Sequence, residues 1–122
     1  MTAQQIVQHL YDLFNARDIN AALSALTDDV VWANGMEGGH VHGKEALREY
    51  WTKQWSMIDP HVEPVSIREV SDGLVDVEVN LTVRDLNGQR LLYESIKHAF
   101  HVKNGYVTRF DIQSASQLSS IV

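Results

Sequence analysis

The stretch VDVEVNLTVRDLNGQRLLYESIKHAFHVKNGYVTRFDIQ, residues 75 to 113, decides the fold. Val75, Val77, Val79, Leu81 and Val83 alternate with Asp76, Glu78, Asn80, Thr82 and Arg84, the two-residue period of a strand with one buried face. Asn87-Gly88 is the dipeptide that tight hairpins favour. The pattern then predicts a long strand from about Arg90 to Lys103, a turn at Asn104-Gly105 and a last strand through about Gln113. Upstream, Val62 to Val70 reads as a weaker strand before the Ser71-Asp72-Gly73 turn, with Pro64 marking an edge or an irregular start.

The first half of the chain has a different period. Thr2 and Gln5 stand at capping-box spacing, and Ile6, Leu10, Leu13 and Phe14 recur at helical intervals, flanked by Val7 and Tyr11. Asn15-Ala16-Arg17-Asp18 interrupts that stripe. Asp18 can cap a shorter second helix through Leu23 and Leu26, ended by Thr27-Asp28-Asp29. Val30-Val31-Trp32 reads as a short strand. A third helix is expected over KEALREYWTKQWSMI, with Leu47, Trp51, Gln54, Trp55 and Ile58 on one broad face, until Asp59-Pro60 stops it. Helices segregated from an antiparallel sheet make the fold class α+β.

Composition narrows the function. A length of 122 residues predicts one domain, 1–122, large enough to bury roughly two-thirds of its surface. Net charge is -6 and no Lys/Arg cluster occurs, so neither nucleic acid nor an anionic membrane surface is an expected partner. The absence of cysteine removes disulfides, thiolate nucleophiles and cysteine zinc sites. The amphipathic start is unlike a secretory signal, and no apolar run is long enough to span a bilayer, so a cytoplasmic domain is expected. SASQLSSIV reads as a polar extension.

Two histidines, His40 and His42, stand one residue apart in the glycine-rich stretch WANGMEGGHVHG, residues 32 to 43. With His98 they have the residue types of a three-histidine zinc site. However, no carboxylate is fixed beside them as a supporting partner, although Glu37 is near in sequence. The favoured reading has no metal and no cofactor, with His42 ahead of the third helix and His40 at a pocket mouth. Asp28 and Asp29 read as a helix end rather than as chemistry.

The order of helix, helix, Asp-Asp and strand, glycine-rich turn, helix and meander resembles the NTF2-like superfamily. It is most similar to the SnoaL-like and ketosteroid-isomerase-like branch. The likeness is carried by FNARDINAALSALTDDVVW (14–32), HGKEALREYW (42–51) and FHVKNGYVTRFDI (100–112). It implies a cone in which three N-terminal helices pack on a curved antiparallel sheet of four main strands plus a short early strand. An apolar pocket at the open end and a homodimer through the sheet's outer face are implied too.

Relatives with steroid-isomerase activity use an aspartate base, with a tyrosine and a protonated aspartic acid as the oxyanion hole. The likeness aligns these with Asn34, with Leu10 (Tyr11 adjacent) and with His98. All three are changed, and Asn34 cannot abstract a proton, so isomerisation by that mechanism is excluded.

What the likeness implies instead is a pocket for a small hydrophobic organic ligand. If it is an enzyme, it is a cofactor-independent isomerase, cyclase or dehydratase acting on a carbonyl compound. His98 falls on the inner parity of its strand with Ile96, Phe100 and Val102, where desolvation favours a neutral imidazole for acid/base or orienting work. His40 and His42, the other two catalytic candidates, would orient substrate with Asn34. Trp32, Asn34, Tyr50, Trp55, Phe100 and Phe110 are the candidate substrate-binding residues, since ligand sites combine aromatic walls with few polar groups. Tyr93 has the opposite parity to His98, and Asp111 the opposite parity to Phe110, which puts both on the outer face. The alternatives are a ligand-binding domain without turnover and an assembly domain with a vestigial pocket.

Overall fold

The computed structural model describes residues 1–113. SASQLSSIV lies outside the described residues. The chain opens with helix α1 (Ala3–Asn15), and its Thr2–Gln5 capping box is complete in both directions. Helix α2 (Ile19–Ser24) follows, capped by Asp18. Strands β1 (Leu26–Ala33) and β2 (His40–His42) precede helix α3 (Lys44–Met57). The meander is β3 (Asp59–Ser71), β4 (Leu74–Arg84), β5 (Arg90–Lys103) and β6 (Tyr106–Ile112).

All six strands form one curved sheet in the order β2-β1-β6-β5-β4-β3. The α+β arrangement and the meander agree with the sequence reading; the strand count and helix layout do not. The early segment supplies two strands rather than one short one. The sheet is mixed, because β1 runs parallel to β6. Thr27-Asp28-Asp29 belongs to β1 and not to a helix end. The β1–β6 pairing shifts register between Leu26 and Val31, so the two aspartates sit in an irregular segment with their side chains in solvent. Leu26, read as helical, is a fully buried strand residue. Gly38 and Gly39 take positive φ, which turns the chain back so that Trp32 pairs with Val41.

The inner face of the sheet carries the core. Val75, Val77, Val79, Leu81 and Val83 are all buried, and Val77 lies opposite His98 across β4 and β5. Helix α1 covers this face with Ile6, Val7, Leu10 and Tyr11. β3 begins earlier than its apolar pattern suggests, and it tolerates Pro60 and Pro64 because it is the sheet edge. Asn15 fastens α1 to that edge: its amide donates to the Val62 carbonyl at 2.8 Å and its oxygen accepts the Val62 N–H at 2.9 Å.

Candidate functional site

The two-residue period of β5 points His98 inward, and the helical period of α1 brings Tyr11 down onto it. The Tyr11 hydroxyl and His98 Nδ1 lie 2.7 Å apart. Both side chains are buried, His98 with 5 % of its surface exposed. Desolvation lowers the His98 pKa from 6.5 to about 3, so the ring is neutral at ordinary pH. Burial likewise raises the Tyr11 pKa, so its hydroxyl keeps its proton. No other acceptor within the described residues takes that proton. The network therefore assigns Tyr11 O–H as donor to Nδ1, which leaves the ring hydrogen on Nε2.

From His98 a file of aromatic rings leads to α3. His98 meets Phe110 edge-on at 4.6 Å, Phe110 stacks on Trp32 at 4.3 Å, and Trp32 meets Trp51 edge-on at 5.3 Å. Beside this file lies a partly open cavity of about 80 Å³. Its wall includes His98, Tyr11, Trp32, Phe110, Tyr50, Trp51 and Gln54, together with aliphatic side chains such as Leu10, Val62 and Ile96. Among the described residues, no Asp, Glu, Lys or Arg contributes to that wall. An apolar cavity of about 150 Å³ holds benzene, so a ring-sized occupant here requires side chains to shift.

Four of the residues expected at the site from sequence line this cavity: His98, Trp32, Tyr50 and Phe110. Five do not. Phe100 is buried behind the wall against Tyr11 and Phe110, and Trp55 packs on Phe14 and Trp51 with the Arg17 guanidinium over its ring. The Asn34 side-chain oxygen accepts the N–H groups of Met36 and Glu37, so it closes a turn.

His40 and His42 flank Val41, which pairs with inward-facing Trp32, and so they project from the outer face of the sheet. There His40 Nε2 lies 2.8 Å from Asp111, which also holds Arg109. The Arg109 hydrogen bond, more than that of His40, keeps the Asp111 carboxyl below its usual pKa. Tyr93 also faces outward, 58 % exposed. No three His, Asp or Glu side chains among the described residues gather into a metal-holding group, and His98 does not meet His40 or His42.

Tyr11 and Gln54 are the polar wall residues absent from the expected site. Tyr11 carried a weak signal, being adjacent to the position aligned with an oxyanion tyrosine. Gln54 carried one as well, as a polar residue inside α3's apolar face. Its side chain is 5 % exposed. The Tyr50 hydroxyl oxygen accepts the Gly35 N–H at 3.1 Å and lies 3.2 Å from the Gln54 amide nitrogen. Burial lifts the Tyr50 pKa to about 12.

A family model described as a SnoaL-like domain matches residues 7–110. No curated protein matches the sequence. Among solved structures, an NTF2-like protein of unknown function from Burkholderia pseudomallei is similar at TM-score 0.83 and 24% identity, over 99% of this chain and 96% of that one. A Xanthomonas campestris protein provisionally named a polyketide cyclase is similar at TM-score 0.79 and 22% identity, over 90% of this chain and 87% of its own. An epoxide hydrolase of the LEH-like type from Mycobacterium tuberculosis is similar at TM-score 0.78 and 17% identity, over 90% and 80%. At such identities the likeness shows the fold alone.

Proposed function

The chain belongs to the SnoaL-like domain family of the NTF2-like superfamily, and on that premise we propose that its cavity binds a small hydrophobic carbonyl compound. The observation that carries the reading is the buried Tyr11–His98 pair in a largely apolar wall. A neutral imidazole with its hydrogen on Nε2 is a fixed donor for a carbonyl oxygen, and it polarises that oxygen without bringing a charge into the cavity. Polarisation of this kind assists enolisation, cyclisation or dehydration, chemistry for which the name of one similar structure, the polyketide cyclase, offers a parallel. His98 acts here as a donor rather than as a base, because its Nδ1 lone pair accepts the Tyr11 hydrogen.

One observation favours a second reading, ligand binding without turnover: among the described residues, no carboxylate lines the cavity to take a proton from carbon. The two readings separate in one experiment. An aromatic methyl ketone is incubated with the protein in deuterated buffer and followed by NMR. Catalysis exchanges the methyl protons faster than buffer does, and His98→Gln slows the exchange. Perturbed His98 and tryptophan resonances without exchange select binding alone. If ketones of graded size produce neither effect, the carbonyl reading falls.

A further inference from the structure

The cavity has a second polar end, which the carbonyl reading does not use. Tyr50 and Gln54 stand on α3 and His98 on β5, and all three line the cavity. Their hydrogen bonds do not close. The Tyr50 oxygen accepts the Gly35 N–H and faces the Gln54 amide nitrogen, yet no acceptor among the described residues takes the hydroxyl's own hydrogen. The Gln54 carbonyl oxygen is buried with no partner. Buried polar groups in folded proteins are almost always paired, so one free donor and one free acceptor side by side call for a partner. Turning the amide over pairs Tyr50 O–H with the Gln54 oxygen and leaves the amide N–H groups free instead, so either orientation leaves polar capacity beside the cavity. An aliphatic side chain at position 54 would have filled this face of α3 without such a cost.

We infer that Tyr50 and Gln54 form a second recognition point, specific for a hydroxyl group on the far side of the ligand from its carbonyl. A hydroxyl group, through a single oxygen, can both donate to the Gln54 oxygen and accept from Tyr50 O–H. The ligand class is therefore a hydroxylated, largely apolar carbonyl compound, with its oxygens at opposite ends of a ring-sized body. The inference rests on the carbonyl reading above, and it makes Gln54 and Tyr50 specificity-determining residues.

The test compares acetophenone, its para-hydroxy derivative and its para-methoxy derivative, with binding measured by NMR titration against the wild-type protein, Gln54→Leu and Tyr50→Phe. The hydroxy compound should bind wild type about fivefold or more tightly than acetophenone, as one added neutral hydrogen bond implies. The methoxy compound should show no such gain, because it cannot donate. Each variant should reduce the hydroxy preference, taken as the ratio of the two affinities in the same protein, to near unity. Tyr50→Phe keeps the ring and the fold, so the result does not depend on Gln54→Leu alone. A hydroxy preference that is absent in wild type, or that survives both substitutions, overturns the inference while leaving the carbonyl reading intact. Failure of all three compounds to perturb His98 overturns both.

Discussion

At the scale of single residues, His98 and Tyr11 hold the argument together. The inward parity of His98 was legible, because a two-residue period assigns the face of every residue in β5 once its apolar set is known. The partner of His98 was not, since the meeting of α1 with β5 depends on packing rather than on either pattern. His40 and His42 were misleading for a related reason. Their spacing gives them a common face, but the pairing of Val41 with Trp32 decides which one.

The buried imidazole makes a prediction with a definite sign. Its pKa is about 3 when folded against 6.5 in the open chain, so between those values the unfolded state binds a proton that the folded state does not. Stability from this group is complete above pH 6.5 and falls as pH drops towards 3, by about 1.4 kcal/mol per pH unit for one proton. Urea unfolding at a series of pH values should show this slope, and His98→Gln should remove it. A histidine NMR titration should find one imidazole unchanged down to about pH 4. If every ring titrates near 6.5, the buried neutral assignment is wrong.

At the scale of elements, legibility followed periodicity. β4, β5 and their turns come directly from alternation and from Asn-Gly dipeptides, and α1 comes from its capping box. The failures lie where a local signal and a tertiary pairing compete. Thr27-Asp28-Asp29 has the composition of a helix end, but neighbouring β6 draws the backbone on either side into the sheet, and the aspartates are accommodated where the register shifts. β2 has only three residues, too few for any period to be read. The joint between α1 and β3 was equally invisible, because Asn15 reads only as the helix end that it is, and its side chain also pairs with both backbone groups of Val62. Asn15→Ala should therefore cost about 1–3 kcal/mol in chemical unfolding, because it leaves a partly buried N–H and C=O without partners. Since Val62 lines the cavity, the same change should alter the NMR signals of the cavity rings while leaving those of the β4–β5 turn alone. A loss below about 0.3 kcal/mol would mean that water replaces the amide at no cost.

At the scale of the molecule, the six-stranded sheet has two unlike faces, and each limits what the protein can do. The inner face is occupied by helices and the cavity. The outer face carries Arg68, Asp76, Glu78 and Lys97 on adjacent strands, with Arg109, Asp111 and His40 beyond them. Alternation in the sequence already marked Asp76, Glu78 and Arg84 as outward. What it could not give was the cavity's volume, which depends on how far the sheet curves away from α1 and α3. We propose that a second copy of the chain covers the outer face. Charges of both signs on one surface are self-complementary under a two-fold axis, where each acidic group can meet a basic one of the partner. Tyr93 supplies a large exposed ring on that face, near the β4–β5 hairpin. An interface of this composition is held by polar contacts more than by apolar burial, so it should be salt-sensitive. Sedimentation velocity at about 100 μM protein should find a dimer in low salt, with the monomer fraction growing as ionic strength approaches about 1 M, where screening acts within roughly 3 Å. Tyr93→Asp should shift the equilibrium towards monomer without changing ketone binding, because the residue lies on the opposite side of the sheet from His98. A monomer at every salt concentration would mean that the outer face is simply solvated, and that whatever the cavity does, it does in a single chain.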